Sequence, residues 1–230
     1  MIKLPQIALI SINCVDPNEA AKAMVYSMRG IEFGQAILFT SEPVVSSDPR
    51  ITVKKIKKLN WHEYNDACLS IGRAFRSDYA LFIQDDGFVI NPDNWDPKFL
   101  EYDYIGAPWP SDPQWADQQV ARAEIHRVFP YNRVGNGGFS LRSRKFMELS
   151  DHFHSCGLYG EDCYLCTIHY DYMIKHGIKF APFELALKFS YENQLPEMEY
   201  PNKLNPALHF GFHGRQLNNS NDIINLKNIY

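Results

Sequence analysis

No apolar run in this sequence approaches the length of a bilayer span, which argues against a transmembrane helix. The opening stretch Met1-Ile2-Lys3-Leu4-Pro5-Gln6 lacks the apolar core of a secretory signal. Cysteine is sparse and odd in number, five in 230 residues. In a chain without such a signal, reduced thiols and a cytoplasmic location are expected. Positive charge is not in excess, since the formal net charge is −4. The basic run Lys54-Lys55-Ile56-Lys57-Lys58 fits the solvated side of an edge strand, so nucleic acid is not an expected partner. No basic amphipathic helix is present, and membrane association is not evident. Neither G-x-G-x-x-G after the first apolar run nor a P-loop occurs. Phosphate, if bound, must be held by other means.

What is present is ordinary for a folded soluble chain: 45% apolar and 22% charged residues. The length suits one large α/β domain, or one with an added subdomain. Aromatic content is 14%, with 15 Phe, 13 Tyr and 4 Trp. Such rings fill cores and also line sugar-binding clefts.

The stretch Ala80-Leu81-Phe82-Ile83-Gln84-Asp85-Asp86-Gly87-Phe88-Val89-Ile90 organises the rest. Its first apolar residues predict a buried strand of a parallel sheet. Open α/β sheets bind ligands beyond the carboxyl ends of their strands, so Asp85 and Asp86 are expected at a cleft. Adjacent carboxylates need a cation or solvent to relieve their repulsion. Two readings are open: oxygen ligands for magnesium or manganese, or a solvated acidic turn.

Upstream, Ile7–Ile12 predicts a first buried strand that ends at Asn13 and Cys14. Asp16-Pro17-Asn18-Glu19 has the order of a helix start, and Gly30 is a stop. Gln35–Thr40 and Ile51–Ile56 predict two more strands. Trp61, Tyr64, Cys68, Ile71 and Phe75 predict one face of an amphipathic helix. This alternation is typical of a doubly wound sheet. After residue 91 the rhythm breaks. Ser111–Asn132 is either a loop over the cleft or a helix across Trp115–Phe129. Gly135-Asn136-Gly137-Gly138-Phe139-Ser140-Leu141-Arg142 allows close backbone approach to a ligand, with Ser140 and Arg142 near it, or is a tight turn into a strand. A helix is expected over Ser143–His152. Glu161-Asp162 precedes a second helix over Cys163–His176, where Asp162 is a cap or a catalyst. Ile178–Pro182 and Ala186–Ser190 predict short strands, and Gln216–Tyr230 a loosely ordered tail.

Three pieces together carry a family resemblance: Gln84-Asp85-Asp86-Gly87-Phe88-Val89; Tyr102-Asp103-Tyr104-Ile105-Gly106-Ala107-Pro108-Trp109 with Gly135–Arg142; and Gly160-Glu161-Asp162 with Phe210-Gly211-Phe212-His213. In order and spacing the chain resembles GT-A fold glycosyltransferases, within a largely uncharacterised group of bacterial and viral domains, over residues 7–215. The resemblance implies a single α/β domain with a Rossmann-like mixed central sheet flanked by helices. Residues 1–90 would form its nucleotide-binding half and 91–215 its acceptor and catalytic half, with 216–230 a tail. It implies a nucleotide-sugar donor, a glycan or other hydroxyl acceptor, a divalent Mn2+ or Mg2+, and a role of the kind that builds polysaccharide. Asp86 and His213 would hold the metal. Asn13, Gln84, Asp85, Asn136, Gly137, Gly138 and Ser140 would border the donor, and Glu161 and Asp162 would supply the base of an inverting reaction. Gln84 departs from the usual Asp-x-Asp and would meet a ribose only through its amide.

Other readings compete. A binding module without turnover would keep the cleft and not need Asp162. A nucleotidyltransferase would also place acids at strand ends, but Ser11–Pro17 lacks its phosphate loop. Cys163, Cys166, His169 and Cys156 raise zinc against buried thiols. His209 is a core residue or a neighbour of the metal, and Trp109 a core anchor or a sugar platform.

Overall fold

The computed structural model describes residues 1–45, 48–111, 119–195, 198 and 204–214, with side chains of the third helix described from residue 123 onward. The expected tail beyond 215 and the stretch 112–118 lie outside these residues. Strand β1 spans Ile2–Ile12, β2 Ile31–Thr40, β3 Ile51–Lys55 and β4 Tyr79–Ile83. Strands β5 (Tyr104–Gly106) and β6 (Phe139–Ser143) complete a six-stranded sheet in the order β3-β2-β1-β4-β6-β5. The first four strands are mutually parallel, and β6 runs antiparallel to both β4 and β5. The sheet is therefore mixed, as expected, with helices on its faces.

Alternation along β1 explains its uninterrupted apolar sequence. Ile7 and Leu9 enter one core cluster, while Ala8, Ile10 and Ile12 enter a second. Strand β4 divides in the same way, Leu81 and Ile83 against Ala80 and Phe82. Strands buried on both faces carry no polar alternation. Helix α1 (Pro17–Ser27) starts at an Asp16 cap whose Oδ1 accepts the Glu19 N–H, and Gly30 follows it with φ +79°. Helix α2 (Trp61–Ser70) opens on a reciprocal capping box between Asn60 and Glu63. It passes into a tighter turn at Ile71–Ala74, shorter than the continuous helix expected.

Chain order places the site. From β1 the chain moves to β2 and β3 on one side, then crosses to β4 on the other. That reversal opens a crevice beyond the carboxyl ends of β1 and β4. The register Ile10↔Phe82 puts Asn13 level with Asp85.

In the second half, helix α3 (Gln119–Val128) confirms part of the helical alternative for Ser111–Asn132. Helix α4 (Arg144–Ser150) is capped by the Ser143 hydroxyl. The single helix expected after Gly160 is three pieces: α5 (Glu161–Cys163), a wide π-type turn at Tyr164–Ile168, and α6 (Tyr170–Lys175). Thr167 Oγ1 donates to the Cys163 carbonyl at 2.5 Å, and the His169 N–H reaches the Tyr164 carbonyl five residues back. The strands expected at 178–182 and 186–190 are corrected. Among the described residues Phe180 makes one isolated bridge, to Tyr104. Phe183–Phe189 is helix α7, entered from Pro182, with Ala186 and Phe189 turned inward at helical spacing. Short strands β7 (Ser190–Tyr191) and β8 (Gly211–Phe212) pair in parallel. Phe210 packs among Trp95, Phe99, Phe139 and Phe189 and fixes this last segment to the sheet. Among the described residues no helix is long and apolar enough to cross a membrane.

His209 belongs to this core. It is 1% exposed, and its Nδ1 accepts the Asn205 N–H at 3.1 Å. Burial lowers its pKa to about 4. Above pH 6.5 the ring is neutral in both folded and unfolded chains, and its contribution to stability is complete. Below that, the unfolded chain takes the proton first, and stability falls until the folded pKa is passed, by about 3 kcal/mol in all. Urea unfolding between pH 7 and 4 checks this: His209→Gln should flatten the acid slope, and an unchanged slope would contradict it.

Candidate functional site

Strand β4 ends in a tight turn. Gln84 and Gly87 exchange backbone hydrogen bonds of 3.1 and 3.2 Å, which leaves Asp85 and Asp86 at the tip. The two carboxylates diverge. Asp85 Oδ1 accepts from Asn13 Nδ2 at 3.1 Å, and Asn13 Oδ1 accepts the N–H groups of Val15 and Asp16 at 2.9 and 2.8 Å. Asn13 thus joins the end of β1, the start of α1 and the acidic turn. These residues line a cavity of about 600 Å³ together with Asn60, Trp61, Tyr64 and Gln84. Trp61 is 60% exposed and stacks on Tyr64 at 6.4 Å between ring centroids, tilted 19°. The amphipathic pattern assigned Trp61 to the buried helix face. It is the first helical residue, and its ring faces the cavity instead.

Asp86 turns the other way, toward His213. Strand β8 delivers that histidine: the Gly214 N–H donates to the Asp86 carbonyl and the His213 N–H to the Tyr191 carbonyl, both at 2.9 Å. His213 Nδ1 lies 3.1 Å from Glu192 Oε1. Its Nε2 lies 3.1 Å from Gln84 Oε1 and 3.5 Å from Asp86 Oδ1. Burial alone would lower the imidazole pKa, but the Glu192 hydrogen bond and the charges of Glu192 and Asp86 raise it above the ordinary value. Glu192 carries no sequence signal, because it lies on neither a motif nor a periodic face.

The glycine-rich loop lies between His213 and Asp162. Asn136 sits at φ +60°, and its Oδ1 accepts the Gly138 N–H at 3.1 Å. Gly137 donates its N–H to Asp162 Oδ2 at 2.7 Å. A side chain at Gly137 would run into Glu161, and one at Gly138 into the His213 ring. Asp162 Oδ1 accepts the Cys163 N–H at 2.7 Å. Both carboxylate oxygens are thus aimed by backbone donors, and the group stays partly exposed at the cleft.

Ser140 and Glu161 lie beneath the loop rather than on its surface. Ser140 is fully buried and donates to the Gly137 carbonyl at 3.2 Å. Glu161 pairs at 2.7 Å with Arg142, itself 2% exposed. Arg142 also donates to Ser140 Oγ and the Gly137 carbonyl, and its guanidinium lies 4.0 Å from the Phe82 ring centroid. Ser140, Glu161 and Arg142 are buried, at 0%, 7% and 2% exposure, and their hydrogen bonds support the loop from below. Trp109 is likewise a core anchor, stacked on Phe129. Cys163 and Cys166 are buried thiols and Cys156 is exposed.

With Nδ1 turned to Glu192, His213 Nε2 meets two oxygen acceptors, Gln84 Oε1 and Asp86 Oδ1. A proton or a metal ion resolves that meeting. Among the described residues no cluster of three or more His, Cys, Asp or Glu side chains suits a metal. A donor set of one carboxylate, one imidazole and one amide oxygen fits a hard divalent ion that completes its shell with water and phosphate oxygens.

A family model described as "Protein of unknown function (DUF5672)" matches residues 51–213, and the chain belongs to that family. Among solved structures it is similar to the apo structure of the WbbM bifunctional glycosyltransferase, at 12% identity and a TM-score of 0.49. That likeness covers 90% of this chain and 45% of the other, so the chain spans less than half of that protein's length. No curated protein matches.

Removal of one partner from the buried pair tests its supporting role. Glu161→Ala leaves the Arg142 charge unmatched and should destabilise the protein by about 3–5 kcal/mol. Denaturant unfolding measures this; a loss below 1 kcal/mol would place the pair in solvent contact.

Proposed function

We propose that this DUF5672 protein moves a sugar from a nucleotide-diphosphate donor to a hydroxyl of a glycan or other acceptor. The observation that carries the proposal is the convergence of Gln84 Oε1, Asp86 Oδ1 and His213 Nε2 beside the cavity rimmed by Asn13, Trp61, Tyr64 and Asp85. The sequence resemblance to GT-A glycosyltransferases supports the same reading.

In this reading Asp86 and His213 hold Mn2+ or Mg2+, and Glu192 orients the imidazole from its far nitrogen, as carboxylates do behind metal-bound histidines. Bound there, the cation supplies positive charge toward the departing nucleoside diphosphate. Asn13 and Asp85 border the nucleoside, and the faces of Trp61 and Tyr64 offer it a stacking surface. Asn136, Gly137 and Gly138 form a loop without bulk next to the transferred sugar. Asp162, aimed by the Gly137 and Cys163 N–H groups, accepts the proton of the attacking hydroxyl. Attack opposite the leaving group inverts the anomeric centre.

Calorimetry with UDP, GDP and dTDP, each with and without Mn2+, tests the reading. One nucleotide should bind in a cation-dependent manner, and Asp86→Ala should abolish that dependence. With the matching donor sugar, Asp162→Asn should lower kcat about 10²–10⁴-fold with nucleotide affinity unchanged, and NMR of the product should show the inverted anomer. Cation-independent binding would remove the role given to Asp86 and His213. Retention would remove that of Asp162. Failure to bind any nucleoside diphosphate would overturn the reading.

A further inference from the structure

The stretch of main chain that carries Asp162 begins without a cap of its own. Helix α5 is three residues long, and Gly160 before it has no side chain to offer the first N–H groups. The Glu161 N–H goes instead to Asn65 of α2, which is 0% exposed and accepts it through Oδ1 at 2.8 Å. The other end of the same amide donates from Nδ2 to the Trp61 carbonyl, also at 2.8 Å. One partner is a backbone donor and the other a backbone acceptor, so a single orientation of the amide satisfies both.

Glu161 is therefore held in two different ways. Arg142 holds its carboxylate at 2.7 Å, but the rotatable bonds of a glutamate side chain lie between that anchor and the main chain. The Asn65 bond acts on the main chain itself. The neighbours of Asn65 extend the attachment upstream. Asp66 Oδ1 accepts the Ser155 N–H at 2.6 Å, and His62 Nδ1 lies 3.1 Å from Ser155 Oγ. His62, Asn65 and Asp66 share one side of α2 by their spacing. They pin the chain on both sides of the exposed residues 156–158. Asp162 follows directly after the second pin. The first turns of the same helix also bring Trp61 and Tyr64 to the cavity.

We infer that Asn65 is a positioning residue for Asp162, holding the main chain that bears this carboxylate against the helix that lines the cavity. The inference rests on the proposed function for the role of Asp162. The Gly137 and Cys163 N–H groups turn the carboxylate, and Asn65 sets the backbone from which it extends. Being fully buried, Asn65 acts through the residues it places. That is enough to matter, because a displacement of about 1 Å at a reacting group can cost about 10²-fold in rate.

The test follows release of nucleoside diphosphate, with Mn2+ present and water as the attacking hydroxyl. The donors are the glucose, galactose and N-acetylglucosamine conjugates of whichever nucleotide binds. Asn65→Ala should lower kcat by about 10–10²-fold and leave the donor KM and the nucleotide affinity unchanged. Combined with Asp162→Asn, it should slow the reaction no further than Asp162→Asn alone, since residues that act as one unit are not additive. A general loss of structure would slow both backgrounds alike. Asn65→Asp keeps an acceptor in the same place and should retain most of the wild-type kcat. Circular dichroism establishes that each variant is folded, and Asn65→Asp keeps the inference testable if Asn65→Ala is not. An unchanged kcat in Asn65→Ala, an additive loss in the double variant, or an Asn65→Asp variant as slow as Asp162→Asn would overturn the inference and leave the proposed function standing. An Asp162→Asn variant as fast as wild type would remove the role of Asp162 and the inference with it. A wild type that releases no nucleoside diphosphate from any of these donors would overturn both.

Discussion

A guanidinium inside a sheet has to be matched at every donor it buries, and Arg142 imposes that demand on everything around the candidate site. It stands on β6 next to β4 and is the largest fully buried side chain among the described residues. Its donors reach Glu161 on α5, Ser140 on its own strand and the Gly137 carbonyl in the glycine-rich loop. The Phe82 ring of β4 covers its face. An unpaired charge in that position would cost several kcal/mol. The loop and the start of α5 are therefore held together, and the Asp162 carboxylate is presented from the residue after the one that neutralises the arginine.

The same network explains why two glycines stand in sequence. The loop passes between Asp162 and His213 closely enough that a side chain at Gly137 meets Glu161 and one at Gly138 meets the imidazole. Close approach of backbone, more than an unusual dihedral, is the requirement here, since neither glycine has a positive φ. The residue that does adopt one is Asn136, whose side chain closes the turn on itself through the Gly138 N–H.

Much of this was legible in the sequence where one rule acts alone. Continuous apolar runs gave β1, β2 and β4, and their parallel order gave the shared edge that brings Asn13 to Asp85. Asp16, Pro17 and Gly30 marked the ends of α1 by capping chemistry. The rest failed where tertiary packing competes with local pattern. Trp61 has the spacing of a core residue but lies in the first turn of α2, beyond the sheet edge, so it faces the cavity. Tyr164–Ile168 has helical periodicity, but the wide turn there takes Thr167 back onto the Cys163 carbonyl. The short apolar run Phe183–Phe189 is ambiguous between helix and strand by pattern, and packing of Ala186 and Phe189 decides for helix. Glu161 and Asp162 look alike as neighbours in sequence. Only the position of Arg142 separates them into a buried counter-ion and a cleft carboxylate.

Charge balance gives a reason for an amide at position 84. The cleft already carries Asp85, Asp86, Asp162 and Glu192, and Glu192 is committed to the His213 imidazole. A further carboxylate at 84 would bring three consecutive acids onto one tight turn, and like charges at that spacing repel by an amount that grows as water is excluded. In the proposed reading the donor adds a diphosphate to the same space. An amide oxygen gives a cation a ligand without adding charge, and its nitrogen donates to the Tyr64 hydroxyl, which a carboxylate could meet only as an acceptor. Gln84 thus lowers the electrostatic cost of gathering these carboxylates and keeps the hydrogen bond that joins His213 to Tyr64.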